Sequence, residues 1–412
     1  MLKILIIGIN FYPELTGIGK YTAELAFYLS AARNEVRVVT APPYYPYWKV
    51  QPGYTAAQYQ RNVLQGLKIY RCPLWVPRKP SGAKRLLHLL SFALSSFPAL
   101  LGQLAWKPDV VLCIAPAFFC APFALFTARL TGAKAWLHIQ DFELDAAASL
   151  EILPANHFLV RWAVRVEQWL MARFDRVSTI SRRMMVRLEQ KGLPPEHTYL
   201  FPNWVDTQAI FPLPDSKDSL RHELDISEEK IIVLYSGTMG AKQGLEIMIH
   251  TAQLLQDKKN ILFVFCGEGA ARADLMNATR NFSNVKHLPL QPLEKLNLLL
   301  NTADIHIMPQ KANVADLVMP SKLLGMLASG RAIVATADRN TELGQIISRV
   351  GVLISPHNTA ELADVICKLA DSPDQRARLG ASARNYVCER WSAELVLPRF
   401  HEQLTHLTKK SR

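Results

Sequence analysis

The usual marks of a metal or redox site are absent from this 412-residue chain. Its six cysteines (Cys72, Cys113, Cys120, Cys266, Cys367, Cys388) are scattered, with no C-x-x-C pair and no histidine partner at metal-site spacing. Buried thiols in a reducing compartment are the expectation. No D-x-D pair stands at a strand end, so a held divalent ion is not expected, and no G-x-G-x-x-G is present, which disfavours a dinucleotide cofactor. The opening "MLKILIIG" is too short an apolar run for a signal peptide and reads as a strand, so secretion is not expected. One longer apolar stretch exists, "KRLLHLLSFALSSFPALLGQLAWK" at 84–107, with 21 uncharged residues between basic ends. His88, Gln103, three serines and Pro98 make it a poor bilayer span. A buried core helix and a helix partly exposed at a membrane interface are the two readings left open.

Acid is scarce in one half only. Residues 1–206 carry 23 Lys and Arg against 13 Asp and Glu, whereas residues 207–412 carry 24 against 22. The first half is therefore expected to meet something anionic: nucleic acid, a phospholipid surface or a phosphorylated substrate. Nucleic acid is the least supported partner, because no basic helix interleaved with aromatics is evident. A phospholipid surface is better supported, by the basic cluster Arg78, Lys79, Lys84 and Arg85 beside the apolar stretch.

Half of the residues are hydrophobic and 20% are charged, which describes a globular chain, and the length calls for more than one core. Strand-like runs alternate with helix-length segments: "KILIIG", "EVRVVTA", "DVVLCIAP", "AKAWLHIQ" and "RVSTIS", then "IIVLYSG", "ILFVFCGEG", "DIHIMPQ", "RAIVATA" and "GVLIS". Near-continuous apolar strands imply parallel sheets covered on both faces. Two such series predict two doubly wound, Rossmann-like α/β domains, at 1–205 and 206–390, with a C-terminal helix at 391–412 packing back toward the first domain. The seam is read from "FPNWVDTQAIFPLPDSKDS", where prolines and polar residues interrupt the pattern. Open α/β sheets bind ligands outside the carboxyl ends of their strands.

Several motifs lie at those ends. "ELTGIGKYTAEL" puts Gly17 and Gly19 where strand gives way to helix, which suits either close approach of a phosphate or a plain turn. In the second half, "YSGTMGAKQGLE" carries Gly237 and Lys242, "CGEG" carries Gly267 and Glu268, and "MPSKLLGMLASG" sets Ser321 and Lys322 at a helix start. Together they outline a nucleotide pocket. "HIQDFELD" places His138 at a strand end, expected at a cleft or its rim, with Asp141 close behind and Glu143 and Asp145 following. This pair suits general-base work on an acceptor hydroxyl, or a helix cap.

Taken with "VRVVTAPPYYPYW", "VSTISRRMM", "FPNW" and "TELGQ", these stretches resemble the retaining glycosyltransferases of the two-domain GT-B type, family four, and within it the colanic-acid exopolysaccharide branch. The resemblance implies two Rossmann-like domains facing a cleft, the second holding a nucleotide sugar and the first an acceptor. It also implies transfer of a hexose, fucose from GDP-fucose, to a saccharide on undecaprenyl diphosphate. The enzyme would be peripheral on the cytoplasmic face of the cytoplasmic membrane, with no metal and no other cofactor. Gly17, Gly19, Gly237, Lys242, Gly267, Glu268, Asp316, Ser321, Lys322 and Glu342 are the expected donor contacts, and His138 and Asp141 the expected catalytic pair.

The pattern also departs from the family. Its two glutamates, eight apart, fall on Leu317 and Gly325, with Asp316 adjacent to the first; Thr238 and Gln243 stand where a basic pair is usual. A nucleotide-sugar 2-epimerase of the same architecture and a non-catalytic scaffold binding sugar nucleotide or lipid are the alternatives left open.

Overall fold

The computed structural model describes residues 1–116, 118–142, 158–213, 220–240, 243–311 and 320–409. Lys242, Asp316, Leu317, Glu143 and Asp145 lie outside them. The chain divides into two compact units, Met1–Asn203 with Leu397–Arg412, and Trp204–Val396.

The first unit runs β1 (Lys3–Gly8), α1 (Gly17–Ala31), β2 (Glu35–Thr40), β3 (Gln60–Leu64), β4 (Leu67–Arg71), α2 (Gly82–Leu101), β5 (Val110–Ala115), α3 (Ala121–Thr131), β6 (Lys134–Ile139), α4 (Phe158–Met171), β7 (Arg176–Thr179), α5 (Arg182–Gln190) and β8 (Thr198–Leu200). Its sheet has the order β3-β4-β2-β1-β5-β6-β7-β8. Every pairing is parallel except β3 with β4. The central strands are buried on both faces, and all of β5 is enclosed, as covering helices require of near-continuous apolar strands. Phe201 stacks on Phe400 with ring centroids 3.8 Å apart, and Trp136 meets Phe400 edge-on at 5.0 Å, which ties the returning C-terminal segment to β6.

The second unit continues with β9 (Ile231–Ser236), α6 (Glu246–Leu254), β10 (Ile261–Cys266), α7 (Arg272–Ala278), β11 (Val285–Leu288), α8 (Leu296–Thr302), β12 (Ile305–Pro309), α9 (Lys322–Ala328), β13 (Ala332–Thr336), α10 (Glu342–Val350), β14 (Val352–Ile354), α11 (Thr359–Ala370) and α12 (Pro373–Arg390). A last helix, α13 (Ala393–Lys409), starts here and ends in the first unit. The sheet order is β11-β10-β9-β12-β13-β14, all parallel. Alternation along β9 separates two cores: Val233 and Tyr235 join one, Ile232 and Leu234 the other. This is the period of two expected of a strand covered on both sides.

Four strands differ from the sequence expectation, which did not include β3, β4, β8 or β11. They are short, and β3 is an exposed, polar edge, so none produces the apolar run by which inner strands are recognised. Residues 84–101 of the 84–107 stretch belong to α2, with His88, Phe92, Ala93, Ser96 and Leu100 buried on one face and Leu87, Leu90 and Leu94 exposed on the other. No helix among the described residues is long and apolar enough to cross a membrane.

Candidate active site

In the first sheet the strand order reverses between β1 and β5, so the loops leaving their carboxyl ends diverge and open a crevice. The loop after β1 leads to Gly17, whose φ of +59° favours glycine, and the helix begins there. The space beside Gly19 is already filled: a Cβ added there would lie 2.8 Å from both Cβ and Oε2 of Glu14. The buried Glu14 carboxylate accepts the backbone N–H groups of Tyr44 at 2.8 Å and Tyr45 at 2.9 Å, and the Asn10 amide at 2.8 Å. Burial raises its pKa above the ordinary carboxylate value, against those hydrogen bonds. Gly19 thus makes room for a protein carboxylate, which holds the tyrosine-rich loop after β2. The side of Gly19 on which a Cβ would stand is therefore taken by Glu14.

His138 is also placed differently from the expectation. The ring is 2% exposed and lies within the core, not at a rim. Its Nδ1 is 2.9 Å from Ser178 Oγ, which accepts the Trp136 indole N–H at 2.8 Å. Its Nε2 is 3.0 Å from the Gln140 amide, which also donates to Asn203 Oδ1 at 3.0 Å. The set is satisfied when Nδ1 carries the proton and Nε2 accepts. Burial pulls the ring's pKa down to about 3, so it is neutral at physiological pH. The strand-end signal located the histidine, but the pleat turns this side chain inward.

Asp141 follows β6 and lines a pocket of about 270 Å³ within the first unit. Leu86 of α2, Phe118, and Trp162, Val166 and Leu170 of α4 form much of its wall. Glu167 also borders it, but its carboxylate is engaged by Lys191 Nζ at 2.5 Å. Beside this wall stand the exposed Lys84 and Arg85, and the more distant Arg78 and Lys79 are exposed as well. Helix α4 displays Arg161, Trp162, Arg165 and Trp169, with Trp162 64% exposed. The sequence reading did not single out this helix. The signal was the spacing of "RWAVRVEQW", which puts these residues on adjoining faces of one helix.

In the second unit the corresponding reversal lies between β9 and β12. The glycines there serve backbone contact: a Cβ on Gly267 would fall 2.0 Å from the carbonyl oxygen of Gly237, and one on Gly269 would fall 2.1 Å from that of Met239. The turns after β9 and β10 are clipped together by Gly237 N–H to Cys266 O at 3.0 Å and Met239 N–H to Glu268 O at 2.8 Å. Lys322 reaches this corner from the start of α9. Its Cδ is 3.2 Å from the position of a Cβ on Gly237, and its ammonium lies 4.2 Å from the Tyr235 ring centroid. No carboxylate pairs with it among the described residues, and burial pulls its pKa down to about 7. Ser321 is exposed at the same helix start. Glu268 faces Arg272 at 3.6 Å, and Glu342 opens α10 behind the Thr341 cap. The described residues hold no group of three His, Cys, Asp or Glu side chains suited to a metal ion.

Two family models match the chain: the glycosyl transferase 4-like domain over residues 16–204 and the glycosyl transferases group 1 over residues 216–386. The chain is 41% identical over 407 residues to the putative colanic acid biosynthesis glycosyl transferase WcaI of Escherichia coli strain K12, covering 97% of this chain and 98% of the relative. This chain is a family-four GT-B glycosyltransferase. The glycosyltransferase is also 24% identical over 328 residues to the probable glycosyltransferase WbjE of Pseudomonas aeruginosa, covering 77% and 79% of the two chains. Among solved structures, sucrose-phosphate synthase from Thermosynechococcus elongatus shares its fold, with a TM-score of 0.78 and 15% identity over 100% of both chains. Anabaena HepE in complex with UDP and glucose does so with a TM-score of 0.70 and 15% identity over 98% of this chain and 100% of that one. In the enzyme, Gly19 makes room for Glu14 and Gly267 and Gly269 allow close backbone approach. Of the expected donor contacts that the structure describes, Lys322 has a pKa displaced by burial.

Proposed function

We propose that this glycosyltransferase is a retaining, metal-independent hexosyltransferase acting in the assembly of a colanic-acid-like exopolysaccharide. The donor is a nucleotide sugar, GDP-fucose, and the acceptor a saccharide on undecaprenyl diphosphate at the cytoplasmic membrane face. The observation that carries this reading is the 41% identity, over nearly the whole length of both chains, to a relative named for colanic acid biosynthesis. A nucleotide donor is further supported by the named complex of HepE with UDP and glucose. It is also supported by a half-buried lysine beside the strand ends of the second sheet.

In this reading the C1–O bond to the donor diphosphate breaks while the acceptor oxygen bonds C1 on the same face. The acceptor's proton passes to the departing diphosphate oxygen. Lys322 answers the charge growing on the diphosphate, where a low-dielectric setting strengthens the interaction. Asp141, at the border of the pocket after β6, is assigned to the acceptor. His138, buried and neutral, acts as a positioning residue through Gln140.

The test is donor selection by thermal shift and calorimetry with GDP, UDP, GDP-fucose, GDP-mannose and UDP-glucose. Selective stabilisation by GDP and GDP-fucose is expected, and a ligand at about a hundred times its Kd adds about 2.7 kcal/mol. Preference for UDP and UDP-glucose would overturn the assigned donor, and no response to any nucleotide would overturn the donor site itself.

A further inference from the structure

The apolar pocket beside Asp141 has no task in sugar binding. Its wall combines α2, through Leu86, with α4, through Trp162, Val166 and Leu170, and with Phe118 from the loop after β5. The acidic side chains along it are Asp141 and Glu167, and the latter is neutralised by Lys191. A sugar lodged there would bury hydroxyls against rings and aliphatic carbons with few partners, a loss at each unsatisfied group. At about 270 Å³ the pocket is far too small for a helix and suits a short apolar chain.

Charge at the pocket points to the class of occupant. Lys84 and Arg85 directly precede Leu86, and Arg161 and Arg165 flank Trp162; all four are exposed, and no ion pair is formed by any of them among the described residues. The same two helices expose Leu87 (56%), Leu94 (59%), Trp162 (64%) and Trp169 (54%). Apolar side chains with arginine and lysine beside them suit the boundary between headgroups and hydrocarbon. We infer that this pocket holds the first isoprene units of the lipid-diphosphate acceptor, with Lys84 and Arg85 facing its anionic head and the α2–α4 surface resting on the membrane. The inference rests on the acceptor class proposed above and adds to it a subsite, the residues that form it and the element, α4, that completes the membrane-facing surface.

The probe is geranyl diphosphate, titrated calorimetrically into the full-length protein beside inorganic diphosphate. Burying even a few carbons is worth about tenfold in affinity, so the prenyl compound should bind at least about tenfold more tightly. Ala163→Leu and Val166→Phe narrow the pocket from α4 and should bring geranyl diphosphate down to the level of inorganic diphosphate. Lys84→Glu/Arg85→Glu should weaken both probes, in a manner sensitive to salt. Circular dichroism and ligand-free melting curves of the same preparations establish that each variant is folded. Equal binding of the two probes, or undiminished prenyl binding in both pocket-filling variants, overturns the subsite. If nucleotides still stabilise the protein in that case, the transferase reading survives without it; prenyl binding with no nucleotide response supports the subsite and removes the donor assignment instead.

Discussion

Lys322 offers the sharpest test of the donor site, because its environment links nucleotide affinity to pH. Burial lowers its pKa to about 7, and the described residues supply no compensating carboxylate. If a nucleoside diphosphate binds only the ammonium form, binding takes up a proton wherever the free enzyme has lost it. The apparent Kd should then be constant within about twofold below pH 7, and about tenfold weaker by pH 8 and about a hundredfold by pH 9. The nucleotide's own terminal phosphate ionises near pH 6, roughly, so the range from about 7.5 to 9 reports on the protein. The Tyr235 face, 4.2 Å from the ammonium, favours the charged form and moves the break upward in pH without removing it. Calorimetry of GDP binding in two buffers of different ionisation enthalpy should show uptake of close to one proton at about pH 8. Lys322→Met should bind weakly at every pH and lose the slope. A Kd that stays flat from about pH 7 to 9, or a slope that persists in Lys322→Met, refutes the reasoning.

Two further predictions concern stability. Gly267→Ala sets a Cβ 2.0 Å from the Gly237 carbonyl oxygen at a φ of +145°, so the turns after β9 and β10 must separate. A loss of about 3 kcal/mol or more is expected, read as a Tm lowered by roughly 6–12 °C; an unchanged Tm contradicts the fit of these turns. Burial holds both His138 and His306 near a pKa of about 3, and His306 lies in the core with Nε2 3.1 Å from Ser329 Oγ. Because the unfolded rings take up protons at higher pH than the folded ones, stability present at neutral pH is lost as pH falls below about 6.5, by up to about 1.4 kcal/mol per pH unit for each ring. Urea denaturation at several pH values should show a shallower dependence in His138→Asn, and the same slope in wild type and variant would place the ring in contact with solvent.

How far the fold was legible depended on burial. The inner strands of both sheets announced themselves because a parallel strand covered on two faces must be apolar at nearly every position, as in "VVLCIA" and "IIVLYS". Edge strands β3 and β11 lack that requirement and went unseen. The sequence reading drew the seam from the prolines of 201–219, and the compact units divide after Asn203. The return of the chain to the first unit at Leu397 is visible in the structure through Phe400 against Trp136 and Phe201.

Motifs behaved differently. Sequence by itself determined the family, the doubly wound sheets, the excess of positive charge in the first half, and where glycines meet strand ends, since these follow from residue order and period. Only the tertiary structure decided what each of those residues touches. Gly19 admits the buried carboxylate of Glu14, Gly267 admits the backbone of Gly237, and His138 faces inward to Ser178 and Gln140. Lys322, ordinary in sequence, meets the face of Tyr235 and loses the solvation that keeps a lysine charged. The reason is physical: propensity and periodicity are local, whereas desolvation and close approach depend on atoms brought together from distant parts of the chain.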